Sequence, residues 1–175
     1  MTGKTHAAAG ALAGALAGRL AGDPTAGMVV GAIAALLPDV DHPGSWAGQR
    51  LRPVSVVLEA LAGHRTVTHT VWFCLAVSVL VALAAAFVRP YMLALGLGWP
   101  PWWGAGLYAL LGSLSHLALD ALTRSGVEPL APLVPPARLA WLEHPRGPIA
   151  TGDPLVEVPT LIVLAWAALK VAGVL

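Results

Sequence analysis

Apolar residues fall into five blocks along the chain, separated by short polar clusters. Val67 to Val88 carries no formal charge, Trp102 to Ala121 stays apolar until Asp120, and Val158 to Leu175 holds only Lys170. A helix that crosses a bilayer needs about 20 mainly apolar residues, so each of these reads as a span. Two shorter runs come first, His6 to Gly22 and Ala26 to Leu37, parted by Asp23-Pro24. They form either a tight helical hairpin or one crossing and one re-entrant segment. Residues 38–66 and 122–157 collect most of the Pro, Arg and acidic residues and read as non-spanning, with a short amphipathic helix from Val54 to Leu61. The expected fold is all-α: one membrane-embedded domain over residues 1–175, a polytopic helical bundle of about four to five transmembrane helices.

Composition supports this reading. Hydrophobic residues make up 57% of the 175 and charged ones only 11%, against about 25% charged in ordinary soluble domains. Disordered, collagen-like and typical cytosolic enzyme classes are thereby excluded. A formal net charge of +1 gives no reason to expect direct nucleic-acid binding. The one cysteine, Cys74, lies in an apolar run and reads as an inert core residue. Lys4 followed by an Ala/Gly/Leu run imitates a signal peptide, but its glycines and lack of bulky residues favour an uncleaved first membrane helix.

Gly10, Gly14, Gly18 and Gly22 recur every fourth residue, and Gly27, Gly31 and Ala35 repeat the spacing on the second run. In lipid, small residues at this interval let helix backbones approach closely; plain Ala/Gly-rich composition is the competing account. Trp72 and the group Trp99, Trp102 and Trp103 mark water–lipid boundaries.

If all five runs cross, His6, Asp39, His69, His116 and Asp120 lie toward one face. Seven of the ten basic residues (Lys4, Arg50, Arg52, Arg65, Arg124, Arg138, Arg146) share it, which makes it the cytoplasmic face. Five of six histidines and three of five aspartates gather there. Ionisable groups beside membrane spans are costly, and so point to function. His116 and Asp120, spaced i and i+4, share a helix face on which imidazole and carboxylate converge on one cation; a buried His–Asp hydrogen bond has the same spacing. Asp39 and Asp120 sit near helix C-termini, where a carboxylate is unfavourable without a positive partner. Asp41 and His42 add ligand types beyond the needs of a turn, although Asp and Pro also suit a polar turn. His64 and His69 converge if one lies in the loop and the other on the helix. His6 reads equally as a ligand or an interfacial residue. Arg65 pairs with a phosphate or reaches lipid headgroups. Thr5, Thr68 and Ser115 are candidates to orient ligands from behind. Asp153-Pro154 reads as a helix cap, the competing account being that Asp153, or Glu157 one turn on, supplies a late carboxylate to the site; His144 reads as a solvated loop residue.

Taken in order, Thr5-His6 with Gly10, Leu37-Pro38-Asp39-Val40-Asp41-His42-Pro43, His64-Arg65-Thr66-Val67-Thr68-His69 and Ser115-His116-Leu117-Ala118-Leu119-Asp120, with Thr123 and Gly126, resemble the membrane-bound metal-dependent hydrolases of the YdjM type. The resemblance covers about residues 1–130; one branch of that family is described as LexA-binding and inner-membrane-associated. It implies a location in the cell inner membrane and a metal set of His6, Asp39, His64, His69, His116 and Asp120, with Asp41 and His42 as further ligands. Through its His/Asp pattern the family is similar to zinc-dependent phospholipases C, which implies phosphoester hydrolysis. The expected cofactor is a divalent metal, zinc first, with manganese and iron compatible. Asp39 or Asp41 would assist water as base, and Arg65 would steady the phosphate. The expected partners are the lipid bilayer and a phospholipid or other phosphoester substrate. Two other classes stay open: a membrane scaffold or regulator whose metal only locks the helices, and a metal or proton carrier.

Overall fold

The computed structural model describes residues 1–62, 66–133 and 143–175. Its helices are α1 (Gly3–Ala21), α2 (Pro24–Ala34), α3 (Trp46–Arg50), α4 (Arg52–Ala62), α5 (Val71–Ala94), α6 (Trp102–Ala121) and α7 (Pro154–Ala172), with 3-10 turns at Pro38–Asp41 and Val67–His69. Among the described residues no strand forms beyond an isolated bridge between Thr123 and Ile149.

The two early runs become a helical hairpin, for local reasons. Gly22 adopts φ +88°, a left-handed conformation open to glycine, and its N–H closes on Gly18 O to end α1. Asp23 then caps α2 by accepting from Ala26 N–H at 2.9 Å, with Pro24 at the first helical position. The glycine stripe sets the interface. A Cβ at Gly10 would overlap the Gly31 carbonyl, one at Gly14 the Gly27 carbonyl, and one at Gly112 of α6 would again meet Gly31. Three backbones thus meet at Gly31, an approach only small residues permit.

Helix α1 packs on α2, α6 and α7, while α6 also packs on α2 and α5. Among the described residues three stretches are long and apolar enough to cross a membrane: Pro24–Asp41, Val71–Ala94 and Pro154–Ala172. Helix α6, expected to span, and α1, for which a crossing or a re-entrant course was open, are not among these three. They have comparable length, but Gly, Ser and His dilute their hydropathy. The same two helices are the most buried, whereas only 17% of the α5 and α7 spans is buried. The apolar helices form the outside and the polar-bearing ones the inside, as a lipid solvent demands. Cys74 is buried, as expected.

The amphipathic helix forms and extends slightly beyond the expected bounds, as α4. Its orientation is inverted relative to a soluble protein. Ser55 is buried against Gly48, while Val54, Val57 and Leu61 are exposed. An outward apolar face beside a spanning helix fits an interfacial position.

Candidate metal centre

The centre is built where four chain segments end or begin. Because α2 stops at Ala34, the carbonyl of Ala35 has no intrahelical partner. It instead accepts from His116 Nδ1 at 2.7 Å. With the proton on Nδ1, His116 Nε2 presents a lone pair. His69, on the 3-10 turn before α5, is fixed similarly. Thr68 Oγ1 donates to Asp41 Oδ2 at 2.6 Å and accepts from His69 Nδ1 at 3.1 Å. That relay leaves His69 Nε2 as the second lone pair, 3.2 Å from His116 Nε2.

Two carboxylates close on this pair of nitrogens. Asp39 Oδ1 lies 3.5 Å from His69 Nε2 and 3.6 Å from His116 Nε2. Asp120 Oδ2 lies 3.7 Å and 3.6 Å from the same atoms. His6 stacks on His116 with ring centroids 3.7 Å apart. His6 Nε2 donates to Met1 O at 3.1 Å and stands 3.2 Å from Asp120 Oδ1. Its Nδ1 is buried without a hydrogen-bond partner among the described residues. His6, His69, His116 and Asp120 are almost wholly buried; Asp39 keeps 19% exposure.

Acceptors gathered so closely out of water need positive charge among them. Burial disfavours charge on His69, yet Asp39 and Asp41 outweigh it and raise the pKa of this histidine, which lies outside the spanning helices. The Met1 ammonium already pairs with Asp120 Oδ1 at 2.8 Å, so the charge on the Asp39 side is balanced by a proton on His69 or by a cation between the ligands. The donor set fits a metal. Ligand atoms about 2.0–2.2 Å from a zinc ion stand roughly 3.3–3.6 Å apart in a tetrahedron, close to the separations above. Among the described residues two overlapping groups bring their ligand atoms within 4.8 Å of one another, His6 with Asp39 and His116, and His69 with His116 and Asp120.

Not every sequence candidate joins them. Asp41 is buried behind His69 Nδ1, at 3.6 Å, and supports that ring. His42 is half exposed, lines the cleft together with Asp39 and lies 4.0 Å from Glu59, outside both ligand groups. His64 and Arg65 lie outside the described residues. Ser115 donates to Gly112 O within its own helix and orients no ligand. Asp153 does cap α7, accepting from Leu155 N–H at 3.0 Å. His144 is more engaged than a solvated loop residue, contacting Glu128 Oε1 and Ser125 O at 3.2 Å each.

The residue that sequence reasoning undervalued is Glu157. It is buried and accepts from Thr2 N–H at 3.1 and 3.0 Å, Thr5 Oγ1 at 3.1 Å and Gly152 N–H at 2.7 Å. It therefore ties α7 to the start of α1, one residue from His6. The available signal was a carboxylate one turn beyond Asp153-Pro154 on an otherwise apolar helix. Beside it a cleft of about 980 Å³ opens, to which Asp39, Lys4 and Glu157 all contribute.

The sequence profile of the family described as "YdjM inner membrane protein" matches residues 1–175. The chain is 32% identical over 133 residues to the uncharacterized protein YvsG of Bacillus subtilis, covering 75% of this chain and 74% of the relative. It is 39% identical over 119 residues to the inner membrane protein YdjM of Escherichia coli, covering 66% of this chain; the match spans about half of that relative, 54% of its length. No solved structure matches.

Proposed function

This chain belongs to the YdjM inner membrane protein family, and we propose that it is a membrane-embedded hydrolase that cleaves a phosphoester with a divalent metal, zinc first. The observation that carries the reading is the convergence of His69 Nε2, His116 Nε2, Asp39 Oδ1 and Asp120 Oδ2 within 3.2–3.7 Å along the measured pairs. In this reading His6, Asp39, His69, His116 and Asp120 hold the metal. A divalent cation bound there supplies Lewis acidity toward water and a phosphoryl oxygen.

The chain's own residues then divide the work. Asp39, alone among the five in keeping partial exposure, faces the cleft and accepts a proton from incoming water. Asp41 and Thr68 hold the His69 ring and fix its tautomer, so Asp41 acts as a positioning residue and not as the base. Ala35 O does the same for His116. Arg65 keeps its proposed phosphate role from its place in the motif. The inner-membrane name of the E. coli relative, the apolar helices and the basic bias support a centre on the cytoplasmic face of the inner membrane.

One observation favours a second reading. Four of the five ligands are nearly inaccessible, as in a site that merely locks helices together. The cleft at Asp39 argues for chemistry over locking. The decisive experiment measures bound metal and phosphoester hydrolysis in detergent-purified wild type, Asp39→Ala and His116→Ala. Metal-dependent turnover lost in both variants supports the hydrolase. Turnover retained in both sinks it, and tight metal without turnover on any phosphoester assigns the locking role.

A further inference from the structure

The cleft beside Asp39 is lined by both polar and apolar groups. Lys4, Asp39, His42 and Ser45 contribute polar groups to it. Its apolar lining includes Ala7 of α1, Leu36 after α2, and Val158 and Leu161 of α7. Positions 154, 157, 158 and 161 share one face of α7, so from Pro154 to Leu161 the cleft follows that helix for about 10 Å. Glu157 also faces it, but its carboxylate is occupied by Thr2, Thr5 and Gly152. Among the described residues lining it, Lys4 brings an exposed ammonium.

Two of the walls belong to stretches apolar enough to cross the bilayer, Pro24–Asp41 and Pro154–Ala172. Val158 is 52% exposed, so the furrow opens sideways toward the space that acyl chains occupy. A soluble phosphate would need only the polar groups. An apolar furrow of this length, open toward lipid, gives a chain somewhere to remain while its head reaches the centre. We propose that the cleft is a lateral entry site for a lipid carrying a terminal phosphate: the phosphate sits between Lys4 and the Asp39 side of the centre, and an acyl chain lies between α1 and α7. The proposal rests on the metal reading above, because the cation balances the Asp39 charge beside the phosphate.

The test uses the full-length zinc-loaded protein in phosphatidylcholine nanodiscs with a phosphatidic acid bearing a photoreactive diazirine in its chain. Crosslinked residues are mapped by mass spectrometry. Labelling should concentrate at Ala7, Val158 and Leu161 and fall about tenfold with excess unlabelled phosphatidic acid, a loss equal to one decade of occupancy. Phosphatidylcholine, already abundant, does not prevent it. Leu161→Trp and Val158→Trp should each abolish labelling at these positions while bound zinc stays unchanged; Val158 is exposed enough that its variant folds even where the other does not. Lys4→Gln should weaken competition by phosphatidic acid.

Labelling spread evenly over the exposed faces of α5 and α7, or unmoved by competition, overturns the proposal. Full competition by inorganic phosphate overturns it also, since the chain then adds nothing. Focused, competed labelling in a protein without phosphoester turnover preserves the lipid site and removes the hydrolase. Zinc-dependent turnover on soluble phosphoesters without focused labelling does the reverse.

Discussion

Replacing Thr68 with valine keeps the side-chain shape and removes one hydroxyl. That hydroxyl is buried, donates to Asp41 Oδ2 at 2.6 Å and accepts from His69 Nδ1 at 3.1 Å. Without it, His69 Nδ1 loses its hydrogen bond to the hydroxyl, and the Asp41 carboxylate stands 3.6 Å away. The ring loses the contact that holds its proton on Nδ1, and Nε2 is no longer reserved for a ligand role. A hydrogen bond to a charged group contributes about 1.5–3 kcal/mol. Loss of a group that orients a metal-binding imidazole costs about 10- to 100-fold in metal affinity, or roughly 1.4–2.8 kcal/mol. The two figures agree, so zinc affinity of Thr68→Val should fall by one to two decades. Competition of detergent-purified protein against a chromophoric chelator measures this, and circular dichroism of the metal-free forms checks that the helices persist. A zinc Kd within about twofold of wild type, far below the expected loss, would falsify the relay.

Other outcomes follow from the same geometry. His42→Ala should leave bound metal unchanged, because this ring is half exposed beside Glu59; loss of metal in that variant would return His42 to the centre. Gly31→Ala should lower thermal stability in detergent, by about 1–3 kcal/mol as overpacking does, since its new methyl meets the Gly10 carbonyl and Gly14; an unchanged melting temperature would refute the close three-helix crossing. Glu157→Ala strands donors on Thr2, Thr5 and Gly152 and should destabilise by about 2 kcal/mol or more, read by thermal melting of the metal-free protein. Acidification should release metal. The imidazoles bind it neutral, and His69 takes up its proton above the ordinary histidine range. Zinc affinity should therefore fall as pH drops through that raised value, and a flat profile across it would contradict the placement of His69.

The helical class and the gathering of imidazoles and carboxylates were legible in the sequence because both leave periodic or compositional marks. Apolar runs reveal α5 and α7, and the four-residue glycine spacing reveals the α1–α2 approach. His116 and Asp120 were legible as a pair because one helix carries both. Which helices face lipid was harder to read. Hydropathy treats α1 and α6 as weak spans, when their glycines, Ser113 and His116 are the buried interior. The division between Asp39 and Asp41 was also hidden: two residues on a 3-10 turn diverge, one toward the imidazole lone pairs and one behind them. His42 is a ligand type in a ligand-rich motif that lies half exposed beside Glu59, on the cleft and outside the two ligand groups. The anchoring role of Glu157 was hidden because its partners, Thr2 and Thr5, lie some 150 residues away, and long-range pairing leaves no local mark.

The scatter of the centre along the chain sets an order of events during biogenesis. His6 comes early, and His116 and Asp120 follow more than 100 residues later, so until Asp120 has emerged the growing chain holds only part of the proposed ligand set. Glu157, which anchors α1 to α7, emerges later still. A chain cut before α7 would carry every proposed ligand but lack that anchor on Thr2 and Thr5, leaving the start of α1, and His6 with it, less firmly held.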